Sequence, residues 1–462
     1  MSRVESDSMG PVEIADEALW GAQTQRAVNN FTLGGGPMPM PFLVALGHVK
    51  AAAAVANVAV ADLAPQIGNA IVNAAERLCS QDLGEQFPVS VFQTGSGTST
   101  NMNANEVLAR VASEYTSESV HPNDHVNMSQ SSNDVIPTTI HVASALELEH
   151  ALLPALAELM VAIDDKAQSF SGLVKTGRTH LMDAMPIELS QEFSSWRDQL
   201  GECNDRLMSA LPRLRQLAQG GTAVGTGINA PEDFPQAFAR SLSERTGIDF
   251  QPAGNAFTRI ASQDTAVELS GQLKTLAVTL MKIANDLRWM NSGPLMGLAE
   301  IQLPELQPGS SIMPGKINPV IPEAVAMVAA DVMGNDVAIS VAGQSGNFQL
   351  NVMLPLIADR LLRSIALLAG ACESLNQQCI KGLEVNSERI AQGLARNPIL
   401  VTALNRVVGY DLGARIAKQA YAQSRPVLDV AAELTDLPLE ALQTLLDPAA
   451  LARGGMPGEQ DP

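Results

Sequence analysis

The chain has 462 residues, 46% of them hydrophobic and 17% charged, which suits a soluble globular protein of two or three domains and argues against disorder. Its formal net charge of −20 repels phosphate backbones and anionic membranes, so nucleic acid and membrane are disfavoured as partners. An anionic substrate would have to be drawn by local positive potential, from Arg178, Lys316 and helix N-termini.

No secretory pattern of basic, apolar and small residues opens the chain, so a cytoplasmic protein is expected. The alanine-rich stretch from Lys50 to Ala61 is interrupted by Asn57, and no apolar run is expected to reach membrane-spanning length. The Gly, Pro and Met residues from Gly34 to Pro41 read as a loop. The alanine-rich helix after them runs to about Asp62, with a break at Pro65. Two polar runs follow: Gln93 to Asn105, rich in hydroxyls and amides, and His121 to Asp134, rich in neutral donors ahead of a helix spanning 138–170. Side chains at this density need partners; capping of the next helix is the structural reading, and carboxylate binding the functional one.

A third polar run, Lys175 to Asp183, places His180 between a basic loop and a helix that spans 187–217 with an expected kink or break at Pro212. A lone histidine is more often a satisfied structural residue than a catalyst. From Leu269 the apolar positions Leu273, Leu276, Leu280, Ile283, Leu287 and Met290 alternate in steps of four and three, the seam of a bundle helix roughly 40 Å long. Further helices are expected from Pro319 to about Val341 and after Pro355, where Ile357, Leu361, Ile365, Leu368, Cys372, Leu375 and Cys379 form a second seam. Beyond Asn397 the helices shorten around Pro426 and Pro438, and a loose tail begins near Gly454. Few strands are signalled. Cys79, Cys203, Cys372 and Cys379 lack CxxC spacing, which opposes disulfides and zinc. His121 and His125 are four apart, but Pro122 opposes a shared helix face, so no metal site is expected.

The segment Gly309 to Pro319 is the most informative. It packs Ser310, Ser311, Lys316 and Asn318 between glycines and prolines, and such a loop can bring backbone N–H groups to an anion. A nucleotide P-loop fails twice, because five residues separate Gly309 from Gly315 and Ile317 follows Lys316. This segment resembles the signature loop of the fumarase/aspartase superfamily. The three polar runs resemble its other conserved regions in order, and the opening Ala18 to Phe31 and the late Asn397 to Asn405 match too, so the likeness covers nearly the whole chain. Trp20-Gly-Ala-Gln-Thr-Gln, Ser131-Ser132-Asn133, and Val332 to Ile339 with Ser345 to Phe348 are most similar to class II fumarases. Asn318-Pro-Val-Ile-Pro-Glu323 looks more like the aspartase version.

The resemblance implies a mainly α, three-domain chain: an N-terminal domain 1–137, a central long-helix bundle 138–387 and a small C-terminal domain 388–462, completed in a homotetramer with shared active sites. It implies reversible hydration of fumarate to L-malate without cofactor or metal, with aspartate ammonia-lyase or a silent structural relative as alternatives. By the same resemblance Ser310 is the carbon base, His180 the acid/base at the water side and Glu323 its orienting carboxylate. Lys316 and Asn318 would hold the carboxylate that becomes the aci form, while Ser96, Gly97, Thr98, Ser131, Ser132, Asn133, Thr179 and Ser311 fix the substrate. Many relatives carry a basic residue before the His121-Pro-Asn-Asp124 turn, part of a secondary anion site. Here Glu118-Ser119-Val120 precedes it, which weakens the assignment of His121, Asn123 and Asp124 to such a site.

Overall fold

In the computed structural model, residues 2–455 are described, and they are mainly helical, as the long apolar periodicities predict. The expected tail beyond Gly455 lies outside the described residues. Two compact units form, one from residues 2–155, 203–278 and 328–370, the other from 156–202, 279–327 and 371–455. Neither is a single stretch of chain, because five long helices contribute residues to both.

In the first unit a hairpin, β1 (Ser2–Asp7) with β2 (Gly10–Ala15), precedes α1 (Ala22–Asn30), α2 (Met40–Val60) and α3 (Pro65–Cys79). Pro65 starts α3 at its first turn, where a missing N–H costs nothing. Helices α4 (Thr98–Ala112) and α5 (Ser132–Glu147) follow, and α2 packs against both α3 and α5. Glu106 of α4 accepts the backbone N–H groups of Gly21, Gln23 and Thr24, holding the positive end of α1. Gly21 sits so close to that carboxyl that a Cβ would lie 2.9 Å from it. Much of the Trp20-Gly-Ala-Gln-Thr-Gln opening is thus a docking device.

Against the expectation that no apolar run reaches membrane-spanning length, two helices are long and apolar enough to cross a membrane by length and composition: Met40–Val60, with mean hydropathy 1.7, and Val320–Gly343, with 1.5. The interruption at Asn57 does not shorten the first, because Lys50 and Asn57 find polar partners inside the unit and the helix continues around them.

Helix α5 continues through one wide turn at Leu148–Leu152 into α6 (Leu153–Ser169). In the second unit β3 (Val174–Thr179) pairs antiparallel with β4 (Met182–Glu188). Helix α7 (Leu189–Leu214) runs through Pro212 and ends two residues later, so the proline marks the last turn and not an internal break. After α8 (Phe234–Thr246) and α9 (Ala256–Ala261) come α10 (Asp264–Met290), α11 (Val320–Gly343) and α12 (Leu354–Leu375). Both expected seams are buried: Leu269, Leu273, Leu276, Leu280, Ile283, Leu287 and Met290 on α10, and Ile357, Leu361, Ile365, Leu368, Cys372 and Leu375 on α12. Burial pushes the Cys379 thiol up to about 12, in keeping with a core residue. The last segment forms short helices around Leu404, Ile416, Val430 and Leu442.

Candidate active site

The first unit holds two of the polar runs, each at the start of a helix. Gly97 precedes α4 in the left-handed conformation, φ 72°, which favours glycine, and a Cβ there would lie 2.9 Å from Ile136. Ser96 and Thr98 share a hydrogen bond of 2.8 Å, and Gln93 Oε1 accepts from both the N–H and the hydroxyl of Thr100. At the start of α5, Ser131 accepts from the N–H of Asn133 while Asp134 accepts from the N–H of Ser131, a reciprocal cap. The other oxygen of Asp134 accepts the N–H groups of Gly220 and Thr222, and Asn133 donates to Ala223 O. Burial pushes the Asp134 carboxyl up to about 6 against these donors. Asn101 of α4 donates to Ser132 Oγ at 3.0 Å, so the two runs meet.

Beneath them lies a residue that the sequence reading did not single out. Lys50 of α2 is 0% exposed, and its Nζ donates to Asn127 Oδ1 and Gln130 Oε1, both at 3.1 Å. Burial lowers its pKa to about 7, and the field of Asp134 opposes that. The available signal was a single lysine inside an apolar helix, with Asn57 seven residues later on the same face.

In the second unit Thr179 pairs with Met182, so His180 and Leu181 form the two-residue tip of the β3–β4 hairpin. Both adopt positive φ, 55° and 60°, where Asn-Gly is the favoured pair. Leu181 is 63% exposed, so no burial of its side chain compensates this conformation. Strain at a two-residue tip that displays a histidine is the pattern found at functional sites. Behind the tip, buried Lys175 pairs with Glu192 and Glu300 at 2.8 and 2.7 Å, and Arg178 pairs with Glu300 at 2.7 Å. Burial would raise the Glu300 pKa, but the hydrogen bond from Arg178 and the charge of Lys175 outweigh it and hold it below the usual carboxylate range. The expected contribution of Arg178 to positive potential is therefore corrected, since its charge is matched by Glu300.

The loop before α11 closes on itself. Gly309 N–H donates to Lys316 O at 2.7 Å, and Asn318 Nδ2 donates back to Gly309 O at 2.8 Å. A Cβ at Gly309 would lie 2.5 Å from that Lys316 oxygen, so the closure needs glycine there. Lys316 Nζ donates to the neutral Asn318 Oδ1, which leaves its positive charge unmatched by that contact. Ser310 Oγ accepts the N–H groups of Ile312 and Met313 at 3.2 and 3.1 Å. Ser310 and Lys316 line a cavity of about 390 Å³ with Glu305 and Pro314, while Ser311 is exposed. Glu323 stands in the first turn of α11 and makes no hydrogen bond with His180 within the described chain. A larger cavity, about 790 Å³, lined by Glu158, Asp165, Lys166 and Asn376, holds none of the candidate residues.

The His121 turn is exposed. One wide turn spans Pro122–Val126, His121 Nδ1 accepts the N–H of Asp124, and His125 Nδ1 accepts the N–H of His121. His121 Nδ1 also lies 3.1 Å from Asp124 Oδ2. Among the described residues no group of three or more His, Cys, Asp or Glu side chains forms a metal-binding cluster.

The chain matches the lyase family model over residues 10–334 and that of the fumarase C C-terminus over 400–453. It is 58% identical over 455 residues to a Pseudomonas aeruginosa protein named fumarate hydratase class II 2, covering 98% of this chain and 99% of that one. Identity to a class II fumarate hydratase of Xylella fastidiosa is 54%, over 98% of this chain and 96% of that protein. Among solved structures, the class II fumarase of Schistosoma mansoni superposes with a TM-score of 0.94 at 37% identity, covering 98% and 99% of the two chains. A Brucella melitensis structure described as fumarate lyase:delta crystallin bound to cobalt gives 0.92 at 44% identity, over 98% and 100%.

Proposed function

This chain belongs to the class II fumarases of the lyase superfamily, and we infer that it is a fumarate hydratase, a metal-independent hydro-lyase of the tricarboxylic acid cycle that interconverts fumarate and L-malate. The observation that carries the reading to chemistry is the Gly309–Asn318 loop, with a serine oxygen facing two backbone N–H groups and an unmatched lysine alongside. Removing a proton from malate next to a carboxylate produces an aci-carboxylate, and stabilising that charge is the main task. A preorganised donor aimed at developing charge contributes ~3 kcal/mol. Lys316 and Asn318 would supply it, and Ser310 would take the proton. An unassisted serine is a poor base, and the N–H groups of Ile312 and Met313 favour its alkoxide.

His180, oriented by Glu323, would protonate the departing hydroxyl or activate the incoming water, help typically worth ~10²–10⁴-fold. Ser96, Gly97, Thr98, Ser131, Ser132, Asn133, Thr179 and Ser311 would fix the dicarboxylate through neutral donors. No hydrogen bond joins His180 to Glu323 within the described chain, and the pair would form between subunits of a homotetramer. Exposed apolar side chains on the long helices support such an assembly, among them Met327 at 68% and Val337 at 63%. The three segments 1–137, 138–387 and 388–462 would then act as site-bearing, bundle and C-terminal domains of a cytoplasmic enzyme.

Absorbance in the fumarate band, followed with malate and aspartate added separately, tests the reading. Fumarate should appear from malate and not from aspartate, and activity should survive EDTA. Fumarate from aspartate alone would make the chain an aspartase, turnover of neither would favour a silent structural relative, and EDTA loss restored by iron would overturn metal independence.

A secondary anion site at His121, Asn123 and Asp124 would be weak, because the Asp124 carboxylate lies 3.1 Å from the His121 ring and Glu118 precedes the turn in sequence. Glu118→Arg should tighten dicarboxylate binding there in crystals. Strong density for a dicarboxylate at this turn in the unsubstituted protein would contradict the proposal.

A further inference from the structure

We propose that Lys50 is a positioning residue for the substrate cradle of the first unit, an inference that rests on the dicarboxylate-binding reading of Ser131, Ser132 and Asn133. Its ammonium is fully buried and meets two neutral amide oxygens, those of Asn127 and Gln130, which are the ends of the turn immediately before Ser131. The same turn is gripped a second time from α2, by Asn57 Nδ2 on Met128 O at 2.9 Å. At its centre Ser129 has φ 59°, a left-handed conformation that a serine holds only when its surroundings over-determine it.

From this turn the order passes to the cradle in two steps. Asn127 Oδ1, held by Lys50, also accepts from Asn101 and Asn105 of α4. Asn101 Nδ2 in turn donates to Ser132 Oγ. With its amide hydrogens used in this way, Asn101 leaves the Ser132 hydroxyl hydrogen directed elsewhere, free to donate to a carboxylate. A charged donor makes stronger hydrogen bonds than a neutral one, so the lysine fixes the two amides more firmly than an amide or hydroxyl would. In its protonated form it also places a positive charge behind a cradle of neutral donors, with the Asp134 carboxyl nearby.

A cradle of this kind holds substrate and transition state alike, so loosening it should raise KM and leave kcat nearly intact. A merely structural role would lower the folded fraction, and with it the apparent kcat, at unchanged KM. The test uses Lys50→Met, of similar length, and Asn101→Leu, which cuts the same chain one link later with the lysine retained. Malate kinetics per folded chain are measured together with calorimetric binding of succinate, a dicarboxylate that cannot react.

Both variants should raise KM and the succinate Kd about tenfold with kcat within about threefold, and the double variant should be no worse than the weaker-binding single. Unchanged KM and Kd in either folded variant would overturn the proposal, as would additive effects in the double. If Lys50→Met does not fold, Asn101→Leu decides by the same criteria. Wild-type protein that binds succinate but does not turn over malate would sink the hydratase reading alone, and the succinate arm would still decide the role of Lys50.

Discussion

Ser310→Ala is expected to lower kcat by ~10²–10⁴-fold while changing KM little. The hydroxyl that accepts the N–H groups of Ile312 and Met313 would be lost, and with it the oxygen proposed to take the proton from carbon. Its contribution exists only as charge develops, so the loss falls on the chemical step and not on ground-state binding. The loop itself should persist, because Gly309 to Lys316 and Asn318 to Gly309 close it without the serine. Stopped assays with malate at saturating concentration give kcat directly. An unchanged kcat would remove Ser310 from the mechanism, and a large rise in KM alone would reassign it to binding.

The second large effect is recovery of activity from two inactive chains. Ser310→Ala and His180→Asn are each expected to be nearly inactive alone. If the serine loop and the histidine hairpin of one site come from different subunits, co-refolding equal amounts should produce sites in which both native residues meet, roughly a quarter of the total by random assortment in a closed homo-oligomer. Sites built within one chain could never recover, because every chain carries one lesion. Activity of a substantial fraction of wild type would support sharing, and mixed oligomers no more active than either parent would defeat it. The absence of a hydrogen bond between His180 and Glu323 among the described residues is the structural motive for the experiment.

What the sequence by itself determined is what depends on neighbours along the chain. The α10 and α12 seams were legible because helical period alone places Leu269 to Met290 and Ile357 to Leu375 on one face each, and both faces are buried. The polar runs were legible because hydroxyls and amides at that density need partners, and Ser131 and Gly97 do start helices there. At Pro212 the helix does not break internally but ends two residues on, at Leu214 and short of the expected Leu217.

The tertiary structure alone decided which charges remain effective. Arg178 looked like a source of positive potential until the fold brought Glu300 to it from 122 residues away, and no local pattern encodes such a pairing. Lys50 was not singled out within an alanine-rich helix, and the fold made it a buried amine whose amide partners lie 77 and 80 residues along the chain. Period and turn chemistry are local properties that a sequence displays. Partners of buried charges are chosen by packing, and the cost of leaving such a charge unpaired is what makes the choice specific.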